Sequence, residues 1–102
     1  MSIGDEAAIN TVVLSGPATL YESAELRETL LAAVFEDKPL RIDLETSGPW
    51  DIAGLQLLVS ALTSARLTGQ TVRLVNVPRV CAEIATRSGL SEWLKGAAES
   101  FL

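Results

Sequence analysis

Three observations predict an α/β fold, with a mixed, mainly parallel four-stranded sheet and about four helices. Leu40, Ile42 and Leu44 alternate with Arg41 and Asp43, the two-residue period of a strand with one more buried face. Leu55, Leu58, Val59 and Leu62 recur at i, i+3, i+4 and i+7, the spacing of a helix with an apolar stripe. Segments of the two kinds take turns along the chain, in the order β-β-α-β-α-β-α-α. Strands joined through helical crossovers pair in parallel with right-handed connections. The early strand pair can add an antiparallel edge, and with so few strands the helices cover one sheet face more heavily than the other.

The first element is a weak strand near Ala7 to Ile9, followed by Thr11-Val12-Val13-Leu14-Ser15-Gly16, a strand ending in glycine. Thr19 and Glu22 stand three residues apart, as in a capping box, and lead into a helix with Leu26, Leu30 and Val34 on one face and Leu31 beside them. Asp37-Lys38-Pro39 ends it. The strand Leu40–Leu44 follows, then a loop through Pro49 and Trp50, and then the helix carrying Leu55 to Leu62, which Gly69 closes with a left-handed cap. Thr71 to Val75 is the next strand. Pro78 sits at a helix start, where its missing amide costs nothing. Val80 and Ile84 mark the inner face of that helix and Gly89 stops it. Ser91 caps a final short helix with Trp93 and Leu94, and the tail from Ala97 to Leu102 is expected to fray in part.

Residues 1–102 are read as one domain, long enough to bury a single core. A hydrophobic share of 48% with 21% charged residues argues against disorder. Eight basic against thirteen acidic residues give a net charge of −5, which disfavours nucleic acid and anionic membranes as partners. No apolar run reaches the roughly 18–20 residues of a membrane span, and Met1-Ser2-Ile3-Gly4-Asp5-Glu6 lacks the basic-then-apolar order of a secretion signal. A cytoplasmic location is the expectation.

The most informative segment runs from Pro49 to Leu58. A strand that feeds a helix N-terminus through a short loop is where α/β proteins often place a phosphate or a partner contact. Asp51 is a natural N-cap there, yet Ile52 and Ala53 follow it, and neither supplies a nucleophile, acid or base. The chain has no histidine, which removes serine–histidine and cysteine–histidine nucleophile pairs and the usual zinc sites. Asp43, Glu45 and Asp51 lack the spacing of cation ligands. Cys81, beside Val80 and Ile84, is read as a small buried hydrophobe. Gly16 and Gly48 are isolated turn glycines without the pattern of a phosphate loop. Trp93 is assigned to the core, whereas Trp50, ahead of the helix, is expected to be exposed as a partner anchor. The segment therefore offers recognition in place of chemistry; neither enzymatic activity nor a cofactor or metal is expected.

Taken in order, Leu20 to Arg27, Ile42-Asp43-Leu44, Trp50 to Leu58, Val72 to Asn76 and Ser88-Gly89-Leu90 resemble the STAS domain, the fold of anti-anti-sigma factors and of sulfate-transporter tails. In that family the residue after the loop aspartate is commonly a serine or threonine phosphorylated by a kinase that doubles as the anti-sigma factor. Here the acceptor position is Ile52, while Asp51 and Gly54 are kept. The resemblance thus implies a docking loop without its phospho-acceptor; Thr46, Ser47 and Ser60 are nearby hydroxyls that do not align with it. It implies a bacterial signalling or chemotaxis module that binds a protein partner through Asp51, Ile52, Ala53, Gly54 and Leu55, with Trp50 and Tyr21 beside them. A kinase-like anti-sigma factor or chemotaxis histidine kinase is the implied partner. The alternative is an accessory subunit of a phospholipid-transporting ABC system, docked on its ATPase. An anion-binding domain is a third class, disfavoured by the acidity of the chain.

Overall fold

The computed structural model describes residues 9–35 and 38–102. Strand β1 (Asn10–Val13) is followed by β2 (Gly16–Ala18), a single 3-10 turn over Leu20–Glu22, helix α1 (Ser23–Phe35), strands β3 (Leu40–Asp43) and β4 (Ser47–Trp50), helix α2 (Ile52–Leu67), strand β5 (Val72–Val75) and helices α3 (Arg79–Arg87) and α4 (Ser91–Ala97). The expected weak first strand falls on Ala7 and Ala8, outside the described residues, and Ile9 precedes β1 without joining it. Asp37, expected to help end α1, also lies outside them.

Strands β1, β3 and β5 form a parallel sheet in the order β1-β3-β5, with Asn10 opposite Leu40 and Leu40 opposite Val72. Leu40, Ile42, Leu44, Val72 and Leu74 are buried, while Arg41, Asp43 and Arg73 alternate with them and stay partly accessible. One face of the sheet therefore carries the core. Leu26 and Leu30 of α1 and Leu55, Leu58 and Leu62 of α2 close over the core as their spacing predicts. Leu31, placed beside that stripe by the sequence, instead faces solvent, and Ala33 takes the inward position.

The single four-stranded sheet gives way to three strands plus two. Strands β2 and β4 form a separate parallel pair, Gly16 opposite Ser47 and Ala18 opposite Trp50. Among the described residues every strand pair is parallel; the expected antiparallel edge involves the strand near Ala7 to Ile9, which lies largely outside them. The division into two sheets has a local cause. Gly16 adopts φ +80°, a conformation glycine reaches without a Cβ penalty, and it divides the predicted Thr11–Gly16 strand. Leu14 still donates to the Asp43 carbonyl and Gly16 to that of Thr46, both at 3.0 Å. The second pair thus prolongs the first beyond a bend.

Two further expectations are corrected. In α3 the fully buried residues are Cys81 and Ala85; Ile84, expected inward, is partly buried against the core, while Val80, expected beside it, is exposed. The tail is docked, not frayed. Glu99 N–H donates to the Leu74 carbonyl at 2.6 Å and Leu102 N–H to that of Val77 at 2.9 Å, extending the sheet beyond β5. Arg73 holds this segment by donating to the Gly96 carbonyl at 2.9 Å and the Ala98 carbonyl at 3.1 Å. Ser91 begins α4 without capping it; Leu90 occupies the cap position and makes no side-chain cap bond. No described helix is long and apolar enough to cross a membrane.

Candidate functional site

Asp51 organises the start of α2. Its Oδ1 accepts from Gly54 N–H at 3.0 Å, the N-cap bond its position predicts, and its Oδ2 accepts from Leu20 N–H at 2.9 Å. One carboxylate therefore ties α2 to the turn before α1. The Gly54 and Leu20 amides favour the charged form and hold the Asp51 carboxyl below its ordinary range. The turn is itself braced by the predicted capping box: Thr19 N–H donates to Glu22 Oε1 at 2.9 Å and Tyr21 N–H to Thr19 Oγ1 at 3.3 Å. The Thr19 hydroxyl donates to the same Glu22 oxygen at 2.6 Å and is the main reason that this carboxyl, too, is held low.

The seven residues assigned to the partner surface separate into two groups. Ile52 is 39% exposed and Tyr21 94% exposed, with Asp51 and Ala53, on either side of Ile52, partly accessible. Leu55 and Gly54 are buried, Leu55 because the apolar stripe of α2 points it into the core, and so they support the surface without lining it. Trp50, expected to be exposed, is 6% accessible: its indole N–H donates to Ser47 Oγ at 2.8 Å, which satisfies the one polar group that burial would strand. Gly54 has a steric role as well. A Cβ there would land on the Ala18 carbonyl oxygen and 3.2 Å from the Trp50 ring, so only glycine lets α2 approach β2 this closely.

Val80, Ile84 and Arg87 of α3 meet Trp50 and Ile52 around an open cleft of about 390 Å³. The sequence placed Val80 and Ile84 on the inner face of α3, and neither was expected to line this cleft. Two parallel i, i+4 pairs run along α3, one small (Cys81, Ala85) and one large (Val80, Ile84), and the small pair takes the innermost positions.

Neither hydroxyl just before this loop is free. Ser47 Oγ donates to the Leu44 carbonyl at 2.7 Å while accepting from Trp50, and Thr46 Oγ1 lies 2.8 Å from Ser15 Oγ. Ser60 is exposed, two turns into α2. Cys81 is buried, and its thiol is pushed up to about 12 by loss of solvation, so it stays protonated at neutral pH. Among the described residues no three His, Cys, Asp or Glu side chains converge as metal ligands.

Comparison with known proteins adds a family to this geometry. The family model described as "Mlab, STAS domain" matches residues 2–96. A solved structure, that of a sulfate transporter family protein from Wolinella succinogenes, superposes with a TM-score of 0.69 at 18% identity, covering 91% of this chain and 75% of that one. At that identity the likeness concerns the fold. No curated protein matches by sequence.

Proposed function

Since the chain belongs to the STAS domain family, as the match over residues 2–96 shows, we propose that it is a non-catalytic docking module in bacterial signal transduction whose partner contact lacks a phosphate switch. One observation carries this reading: Ile52, at the family's acceptor position, is solvent-accessible at the first turn of a helix whose entry is fixed by Asp51. A hydroxyl there would accept a phosphate of about −1.5 to −2 charges and repel a docked partner. An isoleucine cannot, and its exposed apolar surface gains by burial in a complex. Val80 and Ile84 widen that surface across the cleft. The proposed partner is a kinase-like anti-sigma factor or a chemotaxis histidine kinase, bound whether or not ATP is present.

Ile52→Asp tests this cleanly, because an aspartate in the first helical turn suits the helix dipole and does not threaten folding. Capture of the partner from a native lysate should weaken by ~30-fold, the equivalent of a central contact worth about 2 kcal/mol. Undiminished capture would place the contact elsewhere.

A second reading draws support from the family model itself, whose description is Mlab. In that case the same edge docks on the ATPase of a phospholipid-transporting ABC system. The proteins that co-purify from the native cell discriminate the two: receptors and kinases for signalling, ATPase and permease for transport.

A further inference from the structure

Helix α1, with the turn before it, carries a second apolar stripe on the side away from the core. Leu20, Ala24, Leu31 and Phe35 follow at intervals of four, seven and four residues, which keeps them on one helical face, and Arg27 and Glu28 stand in the middle of it. Phe35 is 93% exposed and Leu31 57% exposed, and Leu20 and Ala24 also face solvent. Large side chains so placed do not contribute to the core. Alongside them runs a groove between α1 and α2, formed by cavities of about 590 and 270 Å³ that share Arg27 and Leu57 in their walls. Among the described residues neither Arg27 nor Glu28 belongs to an ion pair.

The order of these residues is self-complementary. When a second α1 is laid antiparallel about the point between Arg27 and Glu28, Arg27 of one copy faces Glu28 of the other. Ala24 then faces Leu31, a small residue against a large one, and Leu20 faces Phe35. Each contact occurs twice, as an isologous two-fold interface requires. A shift of one residue in either direction brings Arg27 against Arg27 or Glu28 against Glu28. From this matching of charge and size we infer that the outer face of α1, with its groove, is the interface of a two-fold homodimer. The groove reaches Ala53, beside the docking edge, whereas Ile52 itself opens on the cleft it shares with Val80 and Ile84, on the other side of the start of α2.

Sedimentation equilibrium on the full chain tests the inference. The wild-type chain should give twice the chain mass at high concentration. Arg27→Glu and Glu28→Arg, each of which sets like charges face to face, should weaken self-association by about tenfold or more. An equimolar mixture of these two variants should recover the dimer, because one copy then presents two carboxylates at the crossing point and the other presents two guanidinium groups. Phe35→Glu should be monomeric with unchanged circular dichroism. Both charge positions are exposed, so folding is not at stake. A wild-type chain monomeric at every concentration, a dimer indifferent to these variants, or a mixture that stays monomeric would each overturn the inference. The Ile52→Asp variant should remain dimeric, which separates failure of this interface from failure of the docking edge.

Discussion

Asp51 is the residue on which the site's geometry turns, because its two oxygens accept from amides in different elements, Gly54 in α2 and Leu20 in the preceding turn. Removing the carboxylate strands both donors. Asp51→Ala should lower unfolding free energy by about 1–2 kcal/mol, the loss of an N-cap together with a second hydrogen bond, and thermal denaturation should show a midpoint several degrees lower. Asp51→Asn keeps one acceptor oxygen and should lose roughly half as much; an equal loss in both variants would mean that charge, not acceptor count, matters. The N-cap bond was legible in the sequence, since an aspartate before an apolar helical run has few other uses. The bond to Leu20 was not, because it spans 31 positions and no local pattern encodes it. The same limit applies to Trp50. Its place before a helix suggested exposure, and only the Ser47 hydroxyl three residues earlier, brought into reach by β4, explains how the indole is buried.

Elements with strong periodicity were readable: α2, β3 and β5 lie where alternation and helical spacing put them. Strand β4 was missed because Ser47-Gly48-Pro49-Trp50 has neither alternation nor β-branched residues; its pairing comes from the position of β2. The contact between these elements also sets how α2 is seated, and Gly54 is its closest point, with a missing Cβ against the Ala18 carbonyl and the Trp50 ring. Alanine is ordinarily the better helix residue by about 1 kcal/mol. Here the clash with backbone, which cannot swing aside as a side chain can, outweighs that gain. Gly54→Ala should therefore destabilise by ~3 kcal/mol, at the upper end of overpacking effects. Urea unfolding would measure this, with Gly96→Ala as a control, because a Cβ at Gly96 meets nothing within 4 Å. A Gly54→Ala chain as stable as the parent would mean that α2 can shift away from β2 without cost.

Across the whole molecule the parallel topology followed from the alternation of strands and helices, but the docked tail and the division into two sheets did not, since both depend on long-range backbone bonds. Carboxylates join these parts. Asp43 accepts from Glu45 N–H at 3.0 Å and from the Asn76 side chain at 3.1 Å, linking the end of β3 to the residue after β5, while Asp51 and Glu22 fasten the start of α2 and the turn before α1. The Glu45 amide foremost holds the Asp43 carboxyl low, as the Gly54 amide does for Asp51 and the Thr19 hydroxyl for Glu22. A group whose folded pKa lies below its unfolded value stabilises the fold above the unfolded value, and that contribution is lost as pH falls through the folded pKa. The ordinary values are 3.8 for the two aspartates and 4.5 for the glutamate, so the loss belongs to the range below about pH 4.5. Acidification also relieves the self-repulsion of a chain with net charge −5, which acts in the opposite direction. Hydrogen bonds to specific charged groups outweigh a diffuse surface field screened by salt. The urea midpoint should accordingly stay level from neutral pH to about 5.5 and fall steeply below about 4. In the Asp43→Asn, Asp51→Asn double variant the midpoint should be lower at neutral pH and the acid limb shallower. A parent midpoint that rises on acidification would show that net repulsion, not these three hydrogen-bonded carboxylates, governs the stability of the molecule.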